Sequence, residues 1–341
     1  KTMSTQIECK KAVYGSGPVF LATISTILGA ILFLRFGWAV GNLGFYQTIG
    51  IIIIGHIVTI PTGMAIAEIA TNQKVEGGGA YYMISRSFGL NIGAAIGVAL
   101  FLAQAISVAF YVIAFAEAFK PVFTYVSLNY GYYFTSSMQY YSVSVPTMLL
   151  LTLLFLTKGA DVGIKALYGV VAILFVSILM FFLGSTNFPV ESVDFTKGIS
   201  NHTSFFTVFT IIFPAFTGIA AGLGLSGDLE DPEKSLPKGT LWATVVGMVV
   251  YLFIAYKFAV SASSFDLAYN ENVMADISLW GPVVPIGLAC AAISSALGSI
   301  MIAPRTLQAL GADKIFPADS INKWFSKEKK GEPLNAAVLT C

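Results

Sequence analysis

Long apolar stretches separated by short polar segments dominate this chain. A membrane-spanning helix needs about 20 mostly apolar residues, and eight stretches meet that requirement. They cover residues 17–40, 45–70, 91–118, 141–157, 163–184, 204–225, 239–261 and 281–303. Apolar residues resume near Pro333, close to the last residue, and predict the start of a ninth span. The pattern therefore predicts an all-α polytopic membrane protein that is truncated after its eighth helix.

Charged residues are scarce, which supports a membrane location. They make up 11% of the 341 residues, and 56% are hydrophobic, whereas soluble domains carry about 25% charged residues. A soluble fold could not bury that much apolar surface, but a lipid bilayer accommodates it. The net charge of +1 gives no reason to expect a nucleic-acid partner. Three scattered cysteines indicate neither a disulfide framework nor a metal site, and no cleavable signal peptide is predicted.

The lysine and arginine residues predict the orientation in the membrane. With the N-terminus inside, 15 of the 19 fall on the cytoplasmic side, leaving Arg35, Lys120, Lys197 and Lys257 outside. An excess of positive charge marks cytoplasmic loops. We therefore predict a cytoplasmic N-terminal segment (residues 1–14) and a transmembrane transport domain (15–341, helices 1–8 and the start of helix 9). The expected location is the plasma membrane or a bacterial inner membrane.

Two spans contain helix-breaking residues near their centres, the first around Gly29 and the sixth around Gly218. A helix that unwinds there frees backbone N–H and C=O groups. The freed N–H groups begin a half-helix whose positive dipole end binds anions. The freed carbonyls, with the hydroxyls of Thr26, Thr217 and Tyr111, can replace the hydration shell of a monovalent cation. The alternative is that the glycines only permit close helix packing; two interruptions five spans apart favour an inverted-repeat transporter.

Few ionisable residues lie within the predicted spans. His56 and Glu68 fall in the second span, and Arg35 and Glu117 fall near outer helix ends. No Asp or Glu lies in the middle of the first, sixth or eighth span, so the substrate must be bound by backbone groups and hydroxyls. Arg35 and Glu117 are candidates for an external gate, or for two separately solvated ends. His56 and Glu68 are interpreted as structural or cytoplasm-facing groups.

Three further segments have a structural alternative beside any functional role. The serine pair Ser294-Ser295 in the eighth span offers hydroxyls, although such serines often bond to their own helix carbonyls. Residues 76–82 contain three consecutive glycines, but no strand precedes them and no Lys-Ser/Thr follows, so nucleotide binding is not expected. The acidic run 228–231 is predicted to be a solvated loop. Pro232, which follows it, is predicted to end the helix.

Several motifs resemble those of the cation–chloride cotransporter family, within the amino acid–polyamine–organocation superfamily. They are Gly29–Arg35 (GAILFLR), Gly77–Arg86 (GGGAYYMISR), Phe213–Gly218 (FPAFTG), Ser226–Leu229 with Pro237–Thr240, and Ser294–Leu297 with Ala303–Arg305. The resemblance covers nearly all of residues 15–317. It implies a LeuT-like fold of five-plus-five inverted repeats, with broken helices 1 and 6 and twelve spans in a full protein.

Carried over residue by residue, the resemblance implies sites for three kinds of ion. Potassium would be bound by Thr26, Ile27, Tyr111, Pro214 and Thr217. One chloride would lie on Gly29, Ala30 and Ile31, and a second on Gly218, Ile219 and Ala220. Sodium would be held by Ser25, Leu28, Ala291, Ser294 and Ser295. In the family the serine pair marks sodium-coupled members and the tyrosine marks potassium binding, whereas Thr26 stands where the family usually has asparagine.

The resemblance implies secondary active, electroneutral cotransport of chloride with Na⁺ and K⁺ by alternating access. The implied transport requires no cofactor, and its partners are inorganic ions and the lipid bilayer. The resemblance also implies a homodimer. An amino-acid permease of the same fold is the first alternative; such permeases usually break span 1 at Gly-x-Gly, whereas Gly29 stands alone here. A transport-dead regulatory subunit is the second. An enzyme is not expected, because no nucleophile–base–orienter set is found on one side of the membrane.

Overall fold

The computed structural model describes residues 14–72, 78–158, 160–188, 194–196, 198–200, 203–226, 229–328 and 333–340. Within these ranges the chain is helical, and one isolated bridge pairs Tyr14 with Leu229. In chain order the helices are α1 (Ser16–Ile27), α2 (Ala30–Leu43), α3 (Phe45–Asn72), α4 (Ala80–Phe88), α5 (Leu90–Glu117), α6 (Lys120–Tyr130), α7 (Ser136–Lys158), α8 (Ala160–Leu183), α9 (Phe205–Ile212), α10 (Ile219–Leu223), α11 (Pro232–Ser261), α12 (Ser264–Tyr269), α13 (Val273–Ile277), α14 (Val283–Ala312), α15 (Asp319–Phe325) and α16 (Leu334–Thr340). A 3₁₀ turn, Phe213–Phe216, lies between α9 and α10.

The long helices have the length and composition of membrane spans. Among the described residues, six helical segments are long and apolar enough to cross a bilayer, and seven when the bent pair α1–α2 is taken as one span. Helix α8 adds a shorter apolar segment, Leu167–Leu183. These segments coincide with the eight predicted stretches, so the predicted all-α polytopic class is confirmed. Helix α16 lies where the ninth span was expected to begin.

Several helix ends differ from the predicted ones. Helix α11 begins at Pro232, seven residues before the predicted start of its span. The Asp231 side chain accepts a hydrogen bond from the Lys234 amide at 3.3 Å, and proline suits the first helical position because no partner is needed there for its nitrogen. The prediction that Pro232 ends a helix was wrong, since it begins one. Helix α14 continues to Ala312 with Pro304 inside it, as membrane helices tolerate.

The centre of the bundle is formed by α14 and α1. In the most apolar stretch of α14, 72% of the residues are buried, whereas 11% are buried in the corresponding stretch of α7. Helix α1 packs against α11 and α14. Ile24 and Ile27 on α1, and Leu28 directly after it, are fully buried. Helix α7 instead presents exposed leucines such as Leu149 and Leu150, which suits a lipid-facing surface. The first span is therefore an interior element, and its break lies in the protein core.

Residues 78–86, which run from two glycines into α4, pack against the end of α14. Gly78 and Gly79 adopt positive φ angles of 110° and 54°, which glycine reaches at no steric cost, and the turn leads directly into α4. From α4, Arg86 donates two hydrogen bonds to Asp313, at 2.8 and 3.0 Å, and the Tyr81 hydroxyl donates a third at 2.7 Å. This segment is thus a structural connection between α4 and the end of the central helix.

The contribution of the Asp313 carboxylate to folding stability is expected to depend on pH. Burial alone raises the pKa of Asp313, but the hydrogen bonds from Arg86 and Tyr81 outweigh it and hold the pKa below its ordinary value. Because the folded pKa is depressed, the stabilisation is present above the ordinary aspartate pKa of about 3.9 and is lost as the pH falls through the folded pKa. We expect Asp313→Asn to cost roughly 1–2 kcal/mol at pH 7, since Arg86 is partly exposed.

Thermal unfolding of the purified protein at pH 7, 5 and 3 measures this contribution. The melting temperatures of the wild type and Asp313→Asn should differ at pH 7 and converge at the lowest pH. Glu68→Gln is the matched control, because Glu68 lies exposed on α3. A difference that persists undiminished at pH 3 would contradict the assigned role of the carboxylate.

Candidate functional site

The first span is broken between α1 and α2. Helix α1 ends at Ile27, Leu28 leaves helical geometry (φ −83°, ψ 44°) and Gly29 is extended (φ −83°, ψ −162°). The two helix axes meet at 41°. The first amides of a helix have no carbonyl partner within it, so the start of α2 presents N–H groups at its positive dipole end. The predicted chloride residues Gly29, Ala30 and Ile31 occupy this position.

The sixth span is broken as well. Helix α9 ends at Ile212, the 3₁₀ turn follows, and α10 begins only at Ile219. Between them, the Thr217 amide and hydroxyl both donate to the Pro214 carbonyl, at 3.2 and 2.8 Å. The predicted interruption of helices 1 and 6 is confirmed. The second predicted chloride set, Gly218, Ile219 and Ala220, lies at the start of α10, which is five residues long.

The two breaks lie directly against each other. A Cβ atom added to Gly218 would stand 2.6 Å from the Ile27 Cγ1 atom and 2.9 Å from both the Ile27 nitrogen and the Thr23 carbonyl oxygen. A Cβ atom added to Gly222 would stand 2.4 Å from the Thr23 hydroxyl. Real Cβ contacts do not come this close, so the backbone of the sixth span touches the backbone of α1. Gly218 therefore lies in the break of the sixth span and also permits its close packing against α1.

Helix α14 supplies the predicted serine pair to the first break. Ser294 and Ser295 are each 1% exposed, and Ala291 is fully buried. The Ser294 hydroxyl donates to the Ala291 carbonyl at 2.9 Å, as a back-bonding serine does. The Ser295 hydroxyl lies 3.8 Å from the position that a Cβ of Gly29 would take, and it has no hydrogen-bond partner among the residues that the structure describes. The structure thus brings an unpaired hydroxyl to the extended glycine of span 1.

The predicted potassium residues lie on both sides of the paired breaks. Thr26 is half-buried at the end of α1, and its hydroxyl donates to the Ala22 carbonyl at 2.9 Å. Pro214 and Thr217 are exposed in the opposite turn. Tyr111, on α5, packs half-buried at the edge of the apolar core that contains Ile27. Of the predicted sodium residues in span 1, Ser25 on α1 and Leu28 directly after it are fully buried.

Four buried polar atoms have no hydrogen-bond partner in the described part of the chain: the hydroxyls of Thr23, Thr59 and Ser295 and Nε2 of His56. Thr23 faces Gly222, Ser295 faces Gly29, and the His56 ring lies 5.0 Å from that of Phe216. A buried polar group without a partner costs roughly 1–3 kcal/mol. Three of these four residues, Thr23, His56 and Ser295, lie beside the two breaks and offer polar atoms there.

Carbonyls and hydroxyls are the available ligands at this site. No group of three His, Cys, Asp or Glu side chains suited to a metal ion occurs in the described ranges. His56 donates through Nδ1 to the Ile52 carbonyl at 2.8 Å, so in its neutral form Nε2 is an acceptor. Glu68 is exposed at the far end of α3. Neither residue adds a negative charge to the breaks.

One residue at the site escaped the sequence analysis. Tyr251 on α11 is fully buried, and its hydroxyl donates to the Ile27 carbonyl at 2.7 Å. Its ring packs against Phe36 and Phe216. No pattern in the sequence singles it out, because it is one of 15 tyrosines and lies in a continuous apolar run. Only the packing of α11 against α1 shows its position.

The predicted outer gate is not closed in this structure. The Glu117 carboxylate lies 2.6 Å from the Lys120 ammonium group and accepts a hydrogen bond from Tyr140. Arg35 is exposed, and the ion pairs of Glu117 within the described chain do not include it. A pairing of Arg35 with Glu117 stays a prediction about another conformation.

Comparison with known proteins places this architecture in a family. The family model described as Amino acid permease matches residues 18–341. Solute carrier family 12 member 2 of Mus musculus is 32% identical over 94% of this chain and 30% of its own length. Solute carrier family 12 member 1 of Homo sapiens is 32% identical over 94% of this chain and 34% of its own length. The bumetanide-sensitive sodium-(potassium)-chloride cotransporter of Manduca sexta is 32% identical over 94% and 35%, respectively.

The chain belongs to the amino acid permease family, which implies the LeuT-like fold. The resemblance to the cation–chloride cotransporters is confirmed by the relatives from solute carrier family 12. The chain spans about a third of the length of these curated relatives.

Proposed function

We propose that this protein is a secondary active transporter that moves chloride together with Na⁺ and K⁺ across a membrane, electroneutrally and by alternating access. The observation that carries the proposal is the buried hydroxyl of Ser295 beside the extended Gly29, for which the described ranges offer no hydrogen-bond partner. A hydroxyl there adds an oxygen ligand to the carbonyls that the broken helix frees, and such oxygens replace the hydration shell of a cation. The Manduca sexta relative, which is named as a sodium-(potassium)-chloride cotransporter, supports the same assignment.

The proposed ion assignment follows the two kinds of freed backbone group. Cations lie on carbonyls and hydroxyls: sodium on Ser25, Leu28, Ala291, Ser294 and Ser295, and potassium on Thr26, Ile27, Tyr111, Pro214 and Thr217. Anions lie on amides: chloride on Gly29, Ala30 and Ile31, and on Gly218, Ile219 and Ala220. Adjacent sites of opposite charge stabilise each other in a medium of low dielectric constant. This coupling is a physical reason for the ions to move together.

Isotope uptake into cells that express the full-length protein tests the proposal. We expect uptake of ²²Na⁺ and ⁸⁶Rb⁺ that disappears when chloride is replaced by gluconate, because each cation then loses its neighbouring anion. Cells without the protein provide the background. Cation uptake that is equal in chloride and in gluconate would refute cotransport with chloride.

An amino-acid permease is the second candidate, and the family match favours it. The free amides at the start of α2 suit a substrate carboxylate as well as chloride. Gly29, however, is flanked by Leu28 and Ala30 and leaves less open backbone than a Gly-x-Gly break. Amino-acid uptake that does not depend on chloride would support this candidate.

The transport-dead regulatory subunit is the third candidate. A protein that carries no ion flux itself but alters the flux of a partner transporter would support it.

The membrane and orientation are also proposed. We infer a plasma membrane or bacterial inner membrane location with a cytoplasmic N-terminus, because 15 of the 19 lysine and arginine residues then lie on the cytoplasmic side. We infer a homodimer from the resemblance alone. Protease accessibility of an N-terminal tag in sealed vesicles tests the orientation, and cross-linking in the membrane tests the dimer.

A further inference from the structure

Tyr251 connects three parts of the site that the sequence places far apart. It lies on α11 and is fully buried. Its hydroxyl reaches the Ile27 carbonyl at the end of α1 (2.7 Å). Its ring centroid lies 4.8 Å from that of Phe36 on α2 and 5.0 Å from that of Phe216 in the 3₁₀ turn, edge to face. One side chain therefore contacts both halves of span 1 and the break of span 6.

The Ile27 carbonyl is a backbone group that the helix break leaves without a helical partner. None of the described backbone hydrogen bonds across the break ends on it; the bonds there run from Leu28 to Ile24 and from Leu32 to Gly29. A carbonyl oxygen has two lone pairs. The Tyr251 hydroxyl occupies one and leaves the other for a second partner. A buried carbonyl with a single hydrogen bond can thus still coordinate a cation.

Fixing the orientation of the Ile27 carbonyl affects cation binding. A free carbonyl at a helix break can rotate with its peptide plane, and ordering it on binding costs conformational entropy. A hydrogen bond from a side chain that is itself locked by ring packing removes this cost in advance, as preorganisation does in other binding sites. The two ring contacts hold Tyr251 against α2 and the 3₁₀ turn, so its hydroxyl is fixed relative to both breaks.

We propose that Tyr251 is a positioning residue for the larger cation: its hydroxyl orients the Ile27 carbonyl, and its ring holds Phe216, which precedes Thr217. This inference deepens the proposed function and rests on it. The cation is coordinated by Ile27 and Thr217, and Tyr251 acts through them without contacting the ion. Its role is therefore separate from that of Tyr111, which is assigned to the ion directly.

The test is Tyr251→Phe, which removes one oxygen atom and keeps both ring contacts. We expect the KM for ⁸⁶Rb⁺ uptake to rise about tenfold, as the loss of one buried hydrogen bond to a ligand group implies. The KM for sodium and for chloride should stay within about threefold, and Vmax per transporter at the surface should be retained. Tyr256→Phe is the matched control, because Tyr256 lies on the same helix, is half exposed and stacks on Phe195.

Thermal stabilisation of the purified protein by RbCl gives a second readout that does not require turnover. The wild type and Tyr256→Phe should show the same rubidium-dependent rise in melting temperature, and Tyr251→Phe should need about tenfold more rubidium to reach it. A merely structural tyrosine would lower the melting temperature without rubidium and leave the rubidium dependence unchanged. That result, or an unchanged KM for ⁸⁶Rb⁺, would overturn the positioning role.

The same measurements separate this inference from the function on which it rests. If the wild type shows neither chloride-dependent ⁸⁶Rb⁺ uptake nor stabilisation by rubidium, the proposed function fails. If the wild type shows both and Tyr251→Phe matches it in the rubidium dependence, the function stands and the role of Tyr251 is refuted.

Discussion

Replacing both Ser294 and Ser295 by alanine should raise the sodium concentration needed for half-maximal uptake by at least about tenfold. Ser295 is 1% exposed and has no partner within the described protein, so its hydroxyl can serve an ion without first breaking a bond. A hydrogen-bond or ligand contact to a charged group is worth roughly 1.5–3 kcal/mol, and 1.4 kcal/mol corresponds to a factor of ten. Uptake of ²²Na⁺ at varied sodium concentration and fixed chloride measures the effect.

The single variants sharpen this experiment. Ser294 already bonds to the Ala291 carbonyl, so Ser295→Ala should account for more of the loss in sodium affinity than Ser294→Ala. Ser299→Ala is the matched control, because Ser299 is buried on the same helix about one turn further on. Sodium dependence that survives the loss of both hydroxyls would show that the cation assignment is wrong.

Gly218→Ala should reduce uptake of every ion by more than about tenfold. The added methyl group would meet backbone atoms of Thr23 and Ile27 at 2.9 Å, and backbone cannot move aside as a flexible side chain does. Relief of the clash requires α1 to shift away from the sixth span, which separates the two breaks. Overpacking of this kind costs roughly 1–3 kcal/mol, and it moves the coordinating groups at the same time. Uptake normalised to surface protein gives the result.

Gly50→Ala is the control for this prediction, because a Cβ at Gly50 on α3 would meet nothing within 4 Å. It should leave uptake and melting temperature unchanged. Gly218→Ala with normal uptake of all three ions would show that contact between the two breaks is not needed for transport.

The spans and both breaks were predictable from sequence because each depends on local composition. Apolar runs of about 20 residues are a requirement of the bilayer, and helix-breaking residues at mid-span act on their own turn. The start of α11 was not recognised, because an acidic run before a proline was interpreted as a loop. Asp231 and Pro232 are in fact a cap and a first helical residue, a pair with a known local signature.

The rest of the site depends on contacts between distant segments. Tyr251 and Ile27 are separated by 224 positions, and a tyrosine in an apolar span gives no local sign of its partner. The pairing of Arg86 with Asp313 joins α4 to the end of α14 and was likewise outside the reach of pattern analysis. The sequence did indicate Ser295 as a candidate, but only the packed helices show that its hydroxyl has no partner in the described part of the chain.

The division of span 1 sets the depth of the site in the membrane electric field. The 12 residues of α1 and the 14 of α2 extend about 18 and 21 Å, so the break lies near half the thickness of the bilayer. One charge crossing the whole membrane changes energy by about 2.3 kcal/mol per 100 mV, so a bare cation arriving from one side experiences roughly half of that. Its apparent affinity then changes about sevenfold per 100 mV. If the proposed cation sites are correct, voltage therefore affects the loading of the first ion even when a complete cycle carries no net charge.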